Sequence, residues 1–318
     1  MTGRVAAVTG GTGFLGRHVV AALCAAGWQV RLLARRDPVH PLLAACTFEL
    51  VPGDLGNEAS LSRLVQGADV VVHVAALVKA RGMAEFLAVN RDGTARLAAI
   101  VARDAPAARF VLVSSQAART PEVSAYAHSK RAGEDAMKAA LPGGDWVILR
   151  PCVVYGPWDL EGIATLRMAS RRTVPVPAAP EPRIAMIHAR DAASSVVALC
   201  RPGPCSVVYE VSDARVDGYG WREIVETAAL PFGRKPRFRP LPDLVFLGAG
   251  LATDVWASLT RTPAVFGRGK AREILYRDWS SARALQPPAE LWRPTVGLRE
   301  GLAETVAWWR REMPEGSA

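Results

Sequence analysis

No apolar run in this chain reaches the roughly 18 residues of a membrane-spanning helix. No apolar signal region precedes the first strand pattern at Val5, so a cytoplasmic location is expected. Cysteine is sparse: Cys24, Cys46, Cys152, Cys200 and Cys205 form no CxxC pair, are odd in number and sit in apolar segments. That argues against a disulfide scaffold or a zinc site, and no metal is expected. Lysine is equally scarce, five of 39 basic residues, so the net charge of +9 rests on arginine. Arginine with abundant Ala, Gly and Pro is a mark of GC-rich codon usage, which accounts for part of the basicity. Zinc-finger, helix-turn-helix and RNA-recognition signatures are missing, so nucleic acid is not an expected partner. Repeats, low-complexity tracts and a clean linker are missing too. The basic excess is uneven: Pro231 to Arg283 holds ten Lys/Arg against four Asp/Glu. Such a patch suits nucleic acid, an anionic membrane surface or an acidic ligand.

What is present is a globular composition, 50% hydrophobic and 22% charged over 318 residues. That suffices for one large α/β domain, or one domain with a smaller addition. Up to about residue 150, two periodicities alternate. Strand-like runs lie at Val5–Val8, Val30–Ala34, Phe48–Val51, Val70–Val74, Phe110–Val113 and Val147–Leu149, with helix-like stretches at Leu15–Ala26, Ser60–Leu64, Met83–Arg103 and Tyr126–Leu141. Short, near-continuously apolar strands joined by helices predict a parallel sheet covered on both faces, doubly wound as in the Rossmann fold. Beyond Pro151 prolines crowd, and helical patterns recur at Ala189–Cys200, Trp221–Ala229, Leu244–Leu259 and Leu298–Arg311. The expected division is a dinucleotide-binding domain over 1–150 and a smaller substrate-binding region over 151–318, packed as one unit.

The first strand runs into Thr9-Gly10-Gly11-Thr12-Gly13-Phe14-Leu15-Gly16. Gly10, Gly13 and Gly16 allow a tight turn, close approach of a pyrophosphate and helix–strand packing, and the helix start at Phe14 and Leu15 offers free N–H groups. A loop that is merely glycine-rich is the alternative; the strand before and the amphipathic helix after favour a dinucleotide. The second strand ends in Arg35-Arg36, with no acid until Asp37. An NAD enzyme usually has a carboxylate there, whereas arginine suits a 2′-phosphate, so NADP(H) is favoured over NAD(H). Two solvated arginines are the plainer reading. Asp54 with Leu55 follows the third strand, where it can contact the adenine or simply cap its loop. Ala75 and Ala76 end the fourth strand with small side chains that admit a cofactor, or only tight packing.

The fifth strand ends in Ser114-Ser115, and Tyr126 and Lys130 follow at i and i+4, on one helix face. An ammonium there would lower the tyrosine pKa from about 10, letting the phenol exchange a proton with a carbonyl or alcohol oxygen as hydride moves. A strand-end hydroxyl would hold the same oxygen. YxxxK alone is common by chance; here it follows a dinucleotide turn and a strand-end serine.

With Gly53-Asp54-Leu55, Val89–Thr94, Val113-Ser114-Ser115, Tyr126–Lys130, Arg150–Pro157 and Ile187–Asp191, the chain resembles extended or atypical short-chain dehydrogenases/reductases. The resemblance is firm over about 215 residues. It implies catalytic Ser115, Tyr126 and Lys130, with Lys130 also reaching the nicotinamide ribose, and a nicotinamide lined by Pro151, Val153 and Val154. It also implies a part for Asn90 in a proton relay, against a plainly structural asparagine. The Ser115–Tyr126 interval is short for the extended class, which leaves Ser114 open as the working hydroxyl.

Family epimerases usually carry an acid after the second strand, where Ala34-Arg35 stands here. Dehydratases carry an acidic pair after the catalytic hydroxyl, where this chain has Gln116-Ala117. Simple hydride transfer, ketone to secondary alcohol or the reverse, remains. Leu244, Leu247, Leu251, Val255 and Leu259 form a helical stripe beside Phe246 and Trp256, flanked by Arg234–Arg237 and Arg268–Arg272. Core packing is one reading; a lid or surface helix for a hydrophobic substrate, at an anionic membrane, is the other. The segments Gly269–Glu273, Asp278-Trp279 and Glu300–Trp309 resemble bacterial sterol-dehydrogenase-like members and, among these, reductases of 3-oxo-ceramide. A sugar-nucleotide enzyme of the same fold and a non-catalytic NADPH-binding subunit are the alternatives.

Overall fold

The computed structural model describes residues 3–178, 180–260 and 266–312. Its centre is a seven-stranded sheet in the spatial order Val207–Val211, Trp146–Pro151, Arg109–Val113, Val70–His73, Val5–Thr9, Gln29–Ala34, Phe48–Pro52. Every pairing is parallel, so all seven C-terminal strand ends lie along one edge. The central strands are wholly buried, which is why they read as unbroken apolar runs.

Side chains alternate between two cores. Ala6, Val8, Val70, Val72, Val111 and Val113 face the helices Phe14–Ala25 and Ala189–Leu199, through Val19, Leu23 and Val196. Ala7, Val71, Phe110 and Leu112 face the helices Glu58–Val65, Thr94–Asp104 and Ala125–Ala140, through Leu61, Leu97 and Met137. Each fully buried Phe or Leu contributes about 1.5–3 kcal/mol. A third core joins Ala117, Val123 and Ala127 to Ile184, Met186, Ile224, Trp279 and Leu302, packing the C-terminal part against the start of the helix that carries Tyr126.

The structure departs from the sequence pattern in three places. The seventh strand, Val207–Val211, comes from beyond Pro151. The long pattern Met83–Arg103 is interrupted by a π turn at Ala88–Gly93. The Leu244–Leu259 stripe is not core: on the helix Asp243–Thr260, Leu244, Leu251, Val255, Trp256 and Leu259 are exposed. Among the described residues no helix is long and apolar enough to cross a membrane.

Candidate active site

Strand order reverses between Val5–Thr9 and Val70–His73. In a doubly wound sheet the ligand crevice opens there, beyond the strand ends. Gly10 has φ +74°, and a Cβ on it would sit 2.3 Å from the Ala75 nitrogen. A Cβ on Gly16 would sit 2.0 Å from the Gly10 carbonyl oxygen. Both positions therefore require glycine, whereas Gly13 has room for a Cβ and bonds the Gly10 carbonyl through its own N–H at 3.0 Å. No side chain caps the helix that begins at Phe14, so its first-turn N–H groups at Phe14, Leu15 and Gly16 face the crevice mouth uncommitted.

A buried chain of hydrogen bonds holds this edge. Thr9 Oγ1 and His73 Nδ1 are 2.6 Å apart, His73 Nε2 and Thr94 Oγ1 are 2.9 Å apart, and Thr94 donates to the Asn90 carbonyl at 2.8 Å. That direction assigns the proton to Nε2 and makes Nδ1 the acceptor. Burial, with the Lys130 charge adding to it, holds the His73 pKa at about 3.

Arg35 and Arg36 follow the second strand, exposed, and their side chains make no hydrogen bond or ion pair among the described residues. Asp54 caps its own loop, accepting from Gly56 N at 2.8 Å, and the Leu55 side chain packs close to Gly93. Ala75 and Ala76 lie half-buried after the fourth strand. Pro151 ends the sixth strand, and Val153 and Val154 belong to a short strand paired with Met186–His188. An uncapped helix end, a turn that only glycine fits, and two unpaired arginines are a donor set suited to a nicotinamide dinucleotide.

The two serines of the fifth strand end separate. Ser114 donates to Glu134 Oε1 at 2.5 Å, and Arg150 grips the same carboxylate at 2.8 and 2.6 Å. Ser115 Oγ accepts from Ala117 N at 3.2 Å and stands beside the Tyr126 phenol, whose pKa it pulls down. Ser124 caps the helix Ala125–Ala140 by accepting from Ala127 N at 3.0 Å, which fixes the first turn that carries Tyr126.

Lys130 lies on that helix, but its ammonium donates to the Val113 carbonyl at 3.0 Å. Burial pushes its pKa down to about 8 against the pull of Glu134. The expectation that Lys130 lowers the tyrosine pKa is not met. Burial pushes Tyr126 up to about 12, opposed by the Ser115 hydroxyl and reinforced by the Glu273 carboxylate. Lys130 is held against a backbone carbonyl with Glu134 nearby, so the balance at the phenol goes to desolvation.

Asn90 is buried beside the helix that carries Tyr126 and Lys130. The π turn carries it inward, where its side chain exchanges two hydrogen bonds with Leu77 (2.7 and 3.0 Å) and donates to Ser129 Oγ at 2.9 Å. Five further residues, Ser124 among them, frame the site in roles that the motif reading did not give them. Gln116 donates to the Trp279 and Ser280 carbonyls at 3.0 and 2.6 Å. Glu273, on the helix Arg268–Leu275, accepts from Ser124 at 2.6 Å. Glu134 and Arg150 form the buried pair. Only Ser124, a serine directly before a helical pattern, had a readable signal.

The chain matches the model of the NAD dependent epimerase/dehydratase family over residues 6–211. It is 51% identical to the ceramide reductase of Caulobacter vibrioides (strain NA1000 / CB15N), covering 96% of this chain and 94% of that protein. Its fold is similar to dTDP-glucose 4,6-dehydratase of Bacillus anthracis in complex with NAD (TM-score 0.72, 18% identity, 97% of each chain). It is similar also to UDP-glucose 4-epimerase of Thermotoga maritima (TM-score 0.69, 20% identity, 97% of this chain and 99% of that one).

Proposed function

The chain belongs to the NAD dependent epimerase/dehydratase family, and from that premise we propose that it is an NADP(H)-dependent reductase of a ketone on a hydrophobic, lipid-like substrate of the 3-oxo-ceramide class. When bound, the cofactor supplies a hydride to the carbonyl carbon. Phe14, Leu15 and Gly16 offer N–H groups to its pyrophosphate, and Arg35 and Arg36 offer guanidinium groups to its 2′-phosphate. Ser115 donates a hydrogen bond to the substrate carbonyl oxygen. Tyr126 gives that oxygen its proton, completing a secondary alcohol. Lys130 holds positive charge beside the strand end while the phenol gives up its proton, and the phenol regains one from solvent. The reverse direction uses the same groups.

One observation carries the reading: Ser115, at the end of the fifth strand, stands beside Tyr126 on the helix that also carries Lys130, and partial burial keeps the phenol protonated. A phenol so held is fully protonated at neutral pH, ready to donate. Gln116 supports simple reduction over elimination. Its amide is tied to two backbone carbonyls where an eliminating enzyme places an acid. For the substrate class, the support is the 51% identity to a ceramide reductase over nearly the whole chain, with the Phe86 ring 6.1 Å from that of Tyr126. A screen of NADPH and NADH oxidation against 3-oxo-ceramide, long-chain ketones, steroids and sugar nucleotides tests it. The expected result is NADPH oxidation with a long-chain ketone. Interconversion of a sugar nucleotide without net cofactor oxidation would contradict it.

A further inference from the structure

The helix Asp243–Thr260 is amphipathic the wrong way round for a helix facing water. Leu244, Val245, Leu251, Val255, Trp256 and Leu259 are all 47% or more exposed, and no charged residue lies on that face among the described residues. Its two carboxylates turn the other way: Asp243 pairs with Arg277 at 2.8 Å and Asp254 with Arg268 at 3.1 Å. Those pairs, and the close approach of Gly250 to the Arg268 backbone, fasten the polar side to the protein. An exposed face of this extent, about 27 Å long at 1.5 Å per residue, calls for a partner.

The surrounding charge identifies the partner. Lys235, Arg237, Arg239 and Arg272 are exposed, and their side chains make no ion pair or hydrogen bond among the described residues. Arg237 and Arg239 stand two apart on the strand Arg237–Leu241, and so on one face of it, in the segment that leads into the helix. A second copy of the chain docked helix to helix would bring these cations against their own kind. An apolar face with unpaired cations on the segments that flank it fits lipid chains below anionic headgroups, with Trp256 suited to the boundary. We propose that this face is a docking surface for an anionic lipid bilayer, on which the helix lies flat. The inference deepens the reductase reading, since it says where a lipid-like ketone is met.

The surface connects to the site. Glu273, on the helix packed against the docking helix, accepts from Ser124, the cap of the helix that carries Tyr126. Direct contacts thus link the docking helix, through the helix of Glu273, to the helix that carries Tyr126.

The test is flotation of the full chain with vesicles of phosphatidylglycerol and phosphatidylcholine, and of phosphatidylcholine alone. The chain is expected to float with the anionic vesicles and to leave them as salt rises, because exposed charges are screened over about 10 Å at 0.1 M. Lys235→Gln/Arg237→Gln/Arg239→Gln should weaken partitioning about 100-fold, at about fivefold per cation. Leu244→Glu/Trp256→Glu should abolish it. Both variants should keep the melting temperature and the turnover of a short, water-soluble ketone, since they alter exposed side chains away from Tyr126. A chain that stays behind with both vesicles, variants that float like the parent, or a dimer that Leu244→Glu/Trp256→Glu dissolves would each overturn the proposal. Anionic-vesicle binding by a chain that reduces no ketone would uphold the docking surface and overturn the reductase reading.

Discussion

Ser114 donates its hydroxyl to Glu134 Oε1 over 2.5 Å, inside a buried cluster that Arg150 completes. The adjacent Ser115 turns to Tyr126. Two identical side chains on successive residues thus have different work, because the chain stays extended just past the strand Arg109–Val113 and successive extended residues point to opposite sides.

Substitution separates them. Ser115→Ala should lower reductive turnover by about 10²-fold, as loss of a donor to the reacting oxygen does. Ser114→Ala should leave turnover near normal and cost roughly 1–3 kcal/mol of stability, since it removes one hydrogen bond from a buried carboxylate. Steady-state kinetics and denaturant melts on both variants check this; the opposite pattern would transfer the role to Ser114.

Turnover should depend on pH through Lys130. Its burial-lowered pKa of about 8 means that the ammonium is lost above that pH, while Tyr126, at about 12, stays protonated throughout. The reduction rate should fall on a limb centred near pH 8. Tyr126→Phe should lose about 10²-fold or more in turnover at every pH yet still bind cofactor. A rate flat to pH 10 would remove Lys130 from the mechanism.

Cofactor choice should rest on Arg35 and Arg36. NADPH should bind more tightly than NADH, and Arg35→Ala should cost NADPH roughly 1.5–3 kcal/mol, the range for a hydrogen bond to a charged group, and NADH nothing. Isothermal titration with both cofactors decides it. Equal binding of the two, unchanged in the variant, would mean that these arginines are only solvated.

His73 should make stability fall in mild acid. It is neutral when folded, with a pKa near 3, and titrates near 6.5 when unfolded. Its contribution is therefore complete above pH 6.5 and is lost as pH falls from there toward 3, by about 1.4 kcal/mol per unit. Between pH 7 and 5 the parent should lose about 2 kcal/mol more than His73→Asn does. Parallel curves for the two proteins would contradict the assignment.

Much of this is legible in the sequence alone. The apolar runs announced the parallel sheet because strands buried on both faces must be apolar throughout. Gly10 and Gly16 announced the crevice because backbone crowding there excludes any Cβ. Other features had no local signature. Val207–Val211 is a short apolar run in the irregular region beyond Pro151, and its place beside Trp146–Pro151 is a matter of long-range pairing. The inward turn of Asn90 depends on a single π turn inside an otherwise ordinary helical pattern. The partnership of Ser114, Glu134 and Arg150 joins three elements, so no spacing reveals it. The tyrosine pKa followed burial and Glu273 rather than the sequence neighbour Lys130. The stripe on Asp243–Thr260 was visible as a period, but which way it faced was not.

The most direct test of the account is isotopic. The chain is given NADPH carrying deuterium at the transferable position of its nicotinamide, together with 3-oxo-ceramide, and the product is weighed by mass spectrometry. The account predicts a secondary alcohol that has gained one deuterium on the former carbonyl carbon, formed by the parent chain and not by Tyr126→Phe. An unlabelled or absent alcohol from the parent chain, with cofactor turnover on a nucleotide sugar instead, would contradict it.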